Sequence, residues 1–136
     1  MTDKIDRVTA HFGGRDLTFK LDRDRIPYIE SFLGEPLQVR WRKIMEGVAR
    51  TAEVMQVVEL AAPSGLGIKQ PKDEMDVFRI RTPMFSRGPS TWVGKVFADK
   101  PPARYAILAQ GIIAAALTGI PAEAAHFDER EEPADD

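Results

Sequence analysis

Apolar and polar residues change rhythm several times along this chain, and each change marks an element. Val8, Ala10 and Phe12 alternate with Thr9 and His11, and Leu17, Phe19 and Leu21 alternate with Thr18 and Lys20. Gly13-Gly14-Arg15-Asp16 lies between the two runs. Alternation on both sides of a glycine pair predicts a β-hairpin. A lone hairpin is marginal in water, so its apolar face is expected to lie against helices.

The period then becomes helical. Ile26, Ile29, Phe32 and Leu33 share one face, with Asp22 or Asp24 as the cap and Gly34 as the stop. Pro36 suits the first turn of a second helix, whose expected buried stripe is Leu37, Trp41, Ile44, Met45 and Val48. Arg40, Arg42, Lys43 and Arg50 fall on its expected solvent side. Thr51 can cap a third helix over residues 52–62, with Val54, Met55, Val58 and Ala61 inward. Ser90 can cap a short fourth helix carrying Trp92, Val93, Val96 and Phe97 before Lys100-Pro101-Pro102 breaks the chain.

The last helix is expected over residues 102–118, stopped by Gly119. Tyr105, Leu108, Ala109, Ile112 and Ala116 form one continuous apolar stripe on it. Ile107, Ile113 and Leu117 lie outside that stripe or at its margin. The helix is therefore apolar over more than one face, and the surplus points to contact with other proteins.

Residues 63–89 are the least regular. PSGLGIKQPKDE has the glycine, proline and charge content of a loop, as does PMFSRGP. Between them MDVFRIRT alternates, which predicts a short extra strand near residues 76–82 that could pair with the hairpin. A connection this long marks an inserted, mobile or partner-binding element. The expected fold is mainly α (α+β): an N-terminal β-hairpin packed on a small bundle of about five helices. One domain is expected over residues 1–121, with 64–89 as an insertion and 122–136 as an acidic disordered tail.

A chain of 136 residues can bury a core without disulfides, and with no cysteine it has no thiolate chemistry. His11 and His126 are far apart in sequence, so no histidine-rich metal site is expected. Residues 128–136 carry a net charge of −5 and the remainder +3, too mild to predict nucleic-acid binding. The longest apolar helix, 105–120, contains Gln110 and much alanine, and is shorter than the ~20 strongly apolar residues of a membrane span. With no apolar run among the first residues, a soluble cytoplasmic protein is expected.

Catalytic chemistry finds little support. Asp22, Asp24, Glu30 and Glu35 cluster in sequence but flank helix starts, where carboxylates serve caps and the helix dipole. Ser86, Ser90 and Thr91 have no histidine nearby in sequence. Gly13-Gly14 and Ser64-Gly65-Leu66-Gly67 lack the spacing of phosphate-binding loops. Arg40, Arg42 and Lys43 around Trp41 could suit nucleic acid, but Trp41 falls on the expected buried stripe. Trp92, Phe97 and Tyr105 are equally suited to an interface and to a core. No enzyme, metal or cofactor is expected.

The order of elements resembles a known family. A hairpin is followed by a short helix, Ile29-Glu30 to Gly34, then Glu35-Pro36-Leu37, a helix through Ile44 to Gly47, and another through Val57-Val58-Glu59. After a loop come Trp92 to Phe97, Lys100-Pro101-Pro102, and an alanine-rich helix from Ile107-Leu108-Ala109 to Ala116-Leu117 that ends at Thr118-Gly119. This resembles the tail assembly chaperones of long-tailed phages, particularly the group found in gene transfer agents and prophages. The likeness runs from Val8 to Gly119, except for residues 64–89, where that family has a short glycine-rich connection. The resemblance implies a non-catalytic protein that binds the tape measure protein, keeps it soluble and helps bring major tail tube protein to it. It also implies absence from the mature particle. Ile107, Ile113 and Leu117, with Phe78 and Phe85 from the loop, are the expected covering surface, and a homo-oligomer is compatible. The competing expectations are a minor tail or connector subunit retained in the particle and, behind it, a small nucleic-acid-binding module.

Overall fold

The computed structural model describes residues 4–81, 91–99 and 102–128. Among them are a three-stranded sheet and six α-helices, an α+β fold that is mainly helical. The hairpin forms as expected. β1 (Val8–Phe12) and β2 (Arg15–Phe19) pair antiparallel, with Val8 opposite Phe19 and Phe12 opposite Arg15. Gly13 and Gly14 make the two-residue turn at φ 61° and 81°, a region open to glycine at little cost. Val8, Ala10 and Phe12 face inward, and Phe12 meets Phe19, Trp92 and Tyr105 edge-on with ring centroids 5.0–5.8 Å apart.

The helices are α1 (Ile26–Leu33), α2 (Leu37–Met45), α3 (Thr51–Ala61), α4 (Glu74–Arg81), α5 (Trp92–Asp99) and α6 (Ala106–Leu117). Gly34 ends α1 in the left-handed conformation, and Gly119 takes the same conformation just past α6. α6 is the central helix, packed against α2, α3 and β1. Tyr105, Leu108, Ala109, Ile112 and Ala116 are all buried, as their spacing predicts.

Of residues 76–82, expected to form a strand, 76–81 are helical and Thr82 lies outside the described residues. The helical ones belong to α4, whose start is capped by side chains: Asp76 N donates to Asp73 Oδ1 at 2.8 Å, and Lys72 N donates to Asp76 Oδ2 at 3.1 Å. An aspartate followed three residues later by a second acid is a helix-start signature, and here it outweighs the alternation that follows. The helix rests on α1 and buries Val77.

The third strand comes instead from the segment expected to be a disordered tail. After a 3-10 turn at Ala122–Ala124, β3 (His126–Asp128) adds to the free edge of β1 in parallel, giving the order β2-β1-β3. Thr9 N donates to Ala125 O at 3.0 Å, and the Phe127 ring lies 6.1 Å from that of Tyr105. One large apolar residue with a core contact is enough to hold the strand. The order therefore extends at least to Asp128, past the expected boundary at 121.

Residues 64–70 fold back onto α3, with Ile68 N donating to Glu59 O at 2.9 Å. The Gln70 amide donates to Lys20 O and Leu60 O, both at 2.8 Å, and accepts from Asp22 N at 3.0 Å. Gly67 lies so close to α3 that a Cβ there would stand 2.0 Å from Glu59 O.

Candidate functional site, an uncharged groove between α2 and α6

An ion network sets the roll of α2. Arg40 was expected on the solvent side but is only 2 % exposed. Its guanidinium donates to Leu33 O at 3.2 Å, Glu53 O at 3.0 Å and Gln56 Oε1 at 3.1 Å, and pairs with the Glu35 carboxylate. Lys43 bridges Glu35 (3.0 Å) and Glu53. The end of α1, the middle of α2 and the start of α3 are thereby fastened together. Burial opposes ionisation of Glu35, but hydrogen bonds from Arg40 and Lys43 win and hold its carboxyl below the usual range. The Lys43 ammonium and the Arg50 N–H do the same for Glu53, and the two carboxylates raise Lys43.

With Arg40 inward, the expected stripe of α2 is rotated. Leu37 and Ile44 are buried, Trp41 is half-buried, and Met45 and Val48 are exposed. The pattern misleads because an apolar stripe locates a core only if buried polar groups are absent from it. Two of the three cations once considered for nucleic acid, Arg40 and Lys43, are committed to carboxylates, which leaves Arg42 exposed.

Trp41 instead forms one wall of a groove of about 330 Å³, lined by Gln38, Trp41, Ala114, Leu117 and Thr118. Arg23 secures the far wall by donating to Ala115 O and Ala116 O at the carboxyl end of α6, where a cation is favoured. Along the outer side of α6 run Ile107, Gln110, Ala114, Leu117 and Thr118, without a charge among them. Ile107 is 64 % exposed and Leu117 40 %. Exposed large apolar side chains flanking an apolar groove mark a surface suited to another protein.

The expected covering residues therefore separate. Leu117 lines the groove, and Ile107 is exposed on the same side of α6, about two turns before Ala114 and outside the lining. Ile113 is fully buried and is not part of any surface. α6 packs against the sheet as well as helices, so its buried arc spans roughly 160° of the helix circumference, wider than one stripe. Burying such an isoleucine contributes about 2 kcal/mol that an outward position would forfeit. Phe78 is exposed, but it sits on α4 against α1 and does not line the groove. Phe85 lies outside the described residues. Met45 and Val48, taken as core from their spacing, are exposed, and Trp41, taken the same way, packs against the core with one side and lines the groove with the other. The signal was Arg40, a cation at a position flanked by Glu35 and Glu53.

Phe97 and Tyr105 belong to the core, while Trp92 packs beneath the hairpin turn with the Arg15 guanidinium 4.7 Å above its ring. Among the described residues, the one carboxyl with a raised pKa is Glu59, pushed up by burial, and its Oε2 accepts from Thr91 Oγ1 at 2.6 Å. Thr91 Oγ1 in turn accepts from Gly94 N at 2.9 Å, so this pair caps the start of α5. A larger cleft, about 520 Å³, opens between Lys20, Asp22, Arg25 and the 64–70 loop, where the amide of Gln70 is already spent on holding the loop. Among the described residues no group of three or more His, Cys, Asp or Glu could hold a metal ion, and no helix is long and apolar enough to cross a membrane. Compared with known proteins, this chain matches no family model, no curated protein and no solved structure.

Proposed function

We propose that this chain is a non-catalytic tail assembly chaperone of the phage type. It covers the apolar face of a tape measure protein in the bacterial cytoplasm, keeps that protein soluble, and helps bring tail tube subunits to it. No cofactor takes part, and the chaperone is absent from the finished particle. The observation that carries the reading is the uncharged α2/α6 groove, with Leu117 exposed in its lining and Ile107 exposed on the same side of α6. The succession of hairpin, helices and alanine-rich final helix on which the resemblance rests is present in the structure.

The physics favours a passive covering role. A tape measure protein is long and helical with apolar stripes, and it aggregates if left bare. A helix laid in the groove would bury Trp41 and Leu117 against it, as in other helix-in-groove complexes. Each contact is small and therefore weak, but many copies along one strand hold it collectively and can leave one at a time. The test is co-expression with a neighbouring tape measure protein. The wild-type chain should keep that protein soluble and co-purify with it, and an Ile107→Glu, Leu117→Glu double variant should do neither. A chain found at fixed copy number in mature particles would mean a structural subunit instead.

A further inference from the structure

The 64–70 loop and the end of β2 border a cleft that a covering role leaves unused. It measures about 520 Å³, within the range of small-molecule sites. Its lining combines apolar Leu60, Ala62 and Ile68 with Lys20, Arg25 and Lys69, and holds one carboxylate, Asp22. A single side chain fastens its walls. The Gln70 amide donates to Lys20 O and Leu60 O and accepts from Asp22 N, so the ends of β2 and α3 and the turn before α1 meet in a fixed arrangement. Gln70 O accepts from Arg25 Nη1 at 3.2 Å, which holds the guanidinium at the cleft.

The cations here are scarcely neutralised. Neither Arg25 nor Lys69 pairs with a carboxylate among the described residues, and Lys69 is exposed. Lys20 Nζ lies 3.4 Å from Asp6, a carboxylate that Arg7 holds more closely, at 2.9 Å. The Gly65 N–H, in a turn closed by Leu66 N donating to Pro63 O, also has no acceptor among the described residues.

We infer that this cleft binds a small phosphate monoester of about nucleotide size. Three cations against one carboxylate leave the lining at a net charge of +2. A phosphate monoester carries about −1.5 to −2 at pH 7, whereas a single carboxylate would neutralise only half of that. Arg25 offers a fork for two phosphate oxygens, and Lys20 and Lys69 add point charges. Leu60, Ala62 and Ile68 receive the body of the ligand, and Asp22 accepts from a hydroxyl on it. The loop lacks the spacing of a phosphate-binding loop, so side-chain cations rather than a row of amides supply the charge. None of the residues lining the α2/α6 groove lines this cleft, so the inference stands apart from the proposed function.

The test titrates the full chain with adenosine monophosphate into the millimolar range, read by amide NMR, with adenosine as the phosphate-free control. The monophosphate should shift the signals of Gly65, Gly67 and Lys69 and bind more tightly than adenosine. Lys69→Glu, at an exposed position, should weaken that binding about tenfold or more, the worth of a charge-assisted contact. Lys95→Glu makes the same charge change on α5, outside the cleft, and should leave the affinity unchanged. No binding of the monophosphate, equal binding of adenosine, or an affinity no lower in Lys69→Glu than in Lys95→Glu would overturn the site.

Discussion

Arg40 donates from Nη1 to the main-chain carbonyl of Glu53 across 3.0 Å, and by that bond a side chain of α2 is anchored inside the start of α3. The same guanidinium reaches Leu33 O at the end of α1 and the carboxylate of Glu35. Three helices thus share one buried cation, and its inward direction turns Trp41 toward α6. The groove exists because of a polar interaction on the other side of its helix.

Replacing that cation should be costly. Arg40→Met keeps most of the apolar stem but removes the donor to Leu33 O and Glu53 O and leaves Glu35 paired with Lys43 alone. Breaking a buried pair on one side costs about 3–5 kcal/mol. Urea unfolding should show a loss of this order, with Trp41 fluorescence altered in the remaining folded protein. A loss under ~1 kcal/mol would mean that the network is solvated and does not set the roll of α2.

The network also predicts acid sensitivity. Glu35 and Glu53 have folded pKa values below their unfolded ones, so the folded state holds fewer protons at moderate acidity. Their contribution is present above the ordinary glutamate value of about 4.5 and is lost as pH falls through the depressed folded values. Unfolding curves from pH 6 to pH 2 should decline over that range, and Glu35→Gln should flatten the decline. An unchanged slope in the variant counts against the pairing.

Glu59 works in the opposite direction. Burial raises its pKa, so its protonated form is the one the fold prefers. Its contribution is complete below the unfolded value near 4.5 and fades as pH rises through the folded value. Glu59→Gln keeps an acceptor for the Thr91 hydroxyl without the buried charge. Thermal denaturation at pH 8 should find it more stable than wild type, with the gap closing toward pH 4. Equal stability at both pH values would show that the carboxyl is hydrated in the folded protein.

β3 should prove structural. Phe127→Ala removes the ring that packs beside Tyr105 and should cost about 1–3 kcal/mol, less than a fully buried phenylalanine. Hydrogen exchange at Thr9, whose N–H is bonded to Ala125 O, should speed up in the variant. Unchanged exchange at that amide would mean that the strand contributes nothing.

Much of this fold was legible in local patterns. The hairpin could be read because alternation and a Gly-Gly turn agree, and α6 because its stripe, start and glycine stop agree. The misreadings have particular causes. Residues 76–82 alternate like a strand, but Asp73 and Asp76 had already started a helix. Composition hid β3, since Phe127 is one apolar residue in an acidic stretch and its partner, β1, is more than a hundred positions away. Part of the groove was visible in Leu117. Trp41 was not, because a buried arginine inverts the rule that basic residues mark the outer side of a helix. Ile113 was misplaced because periodicity on one helix cannot reveal how many neighbours that helix has.

The central claim is that the α2/α6 groove keeps a tape measure protein in solution. The most direct measurement is the soluble fraction of that protein when co-expressed with this chain, with its Ile107→Glu, Leu117→Glu variant, and with an empty vector. Both substituted side chains are exposed enough for the variant to fold, which circular dichroism would verify. The account predicts soluble tape measure protein, co-purifying with the chain, for the wild type and aggregated tape measure protein for the other two. A folded variant that solubilises its partner as well as the wild type does would contradict the groove, and a wild type no better than the empty vector would contradict the function.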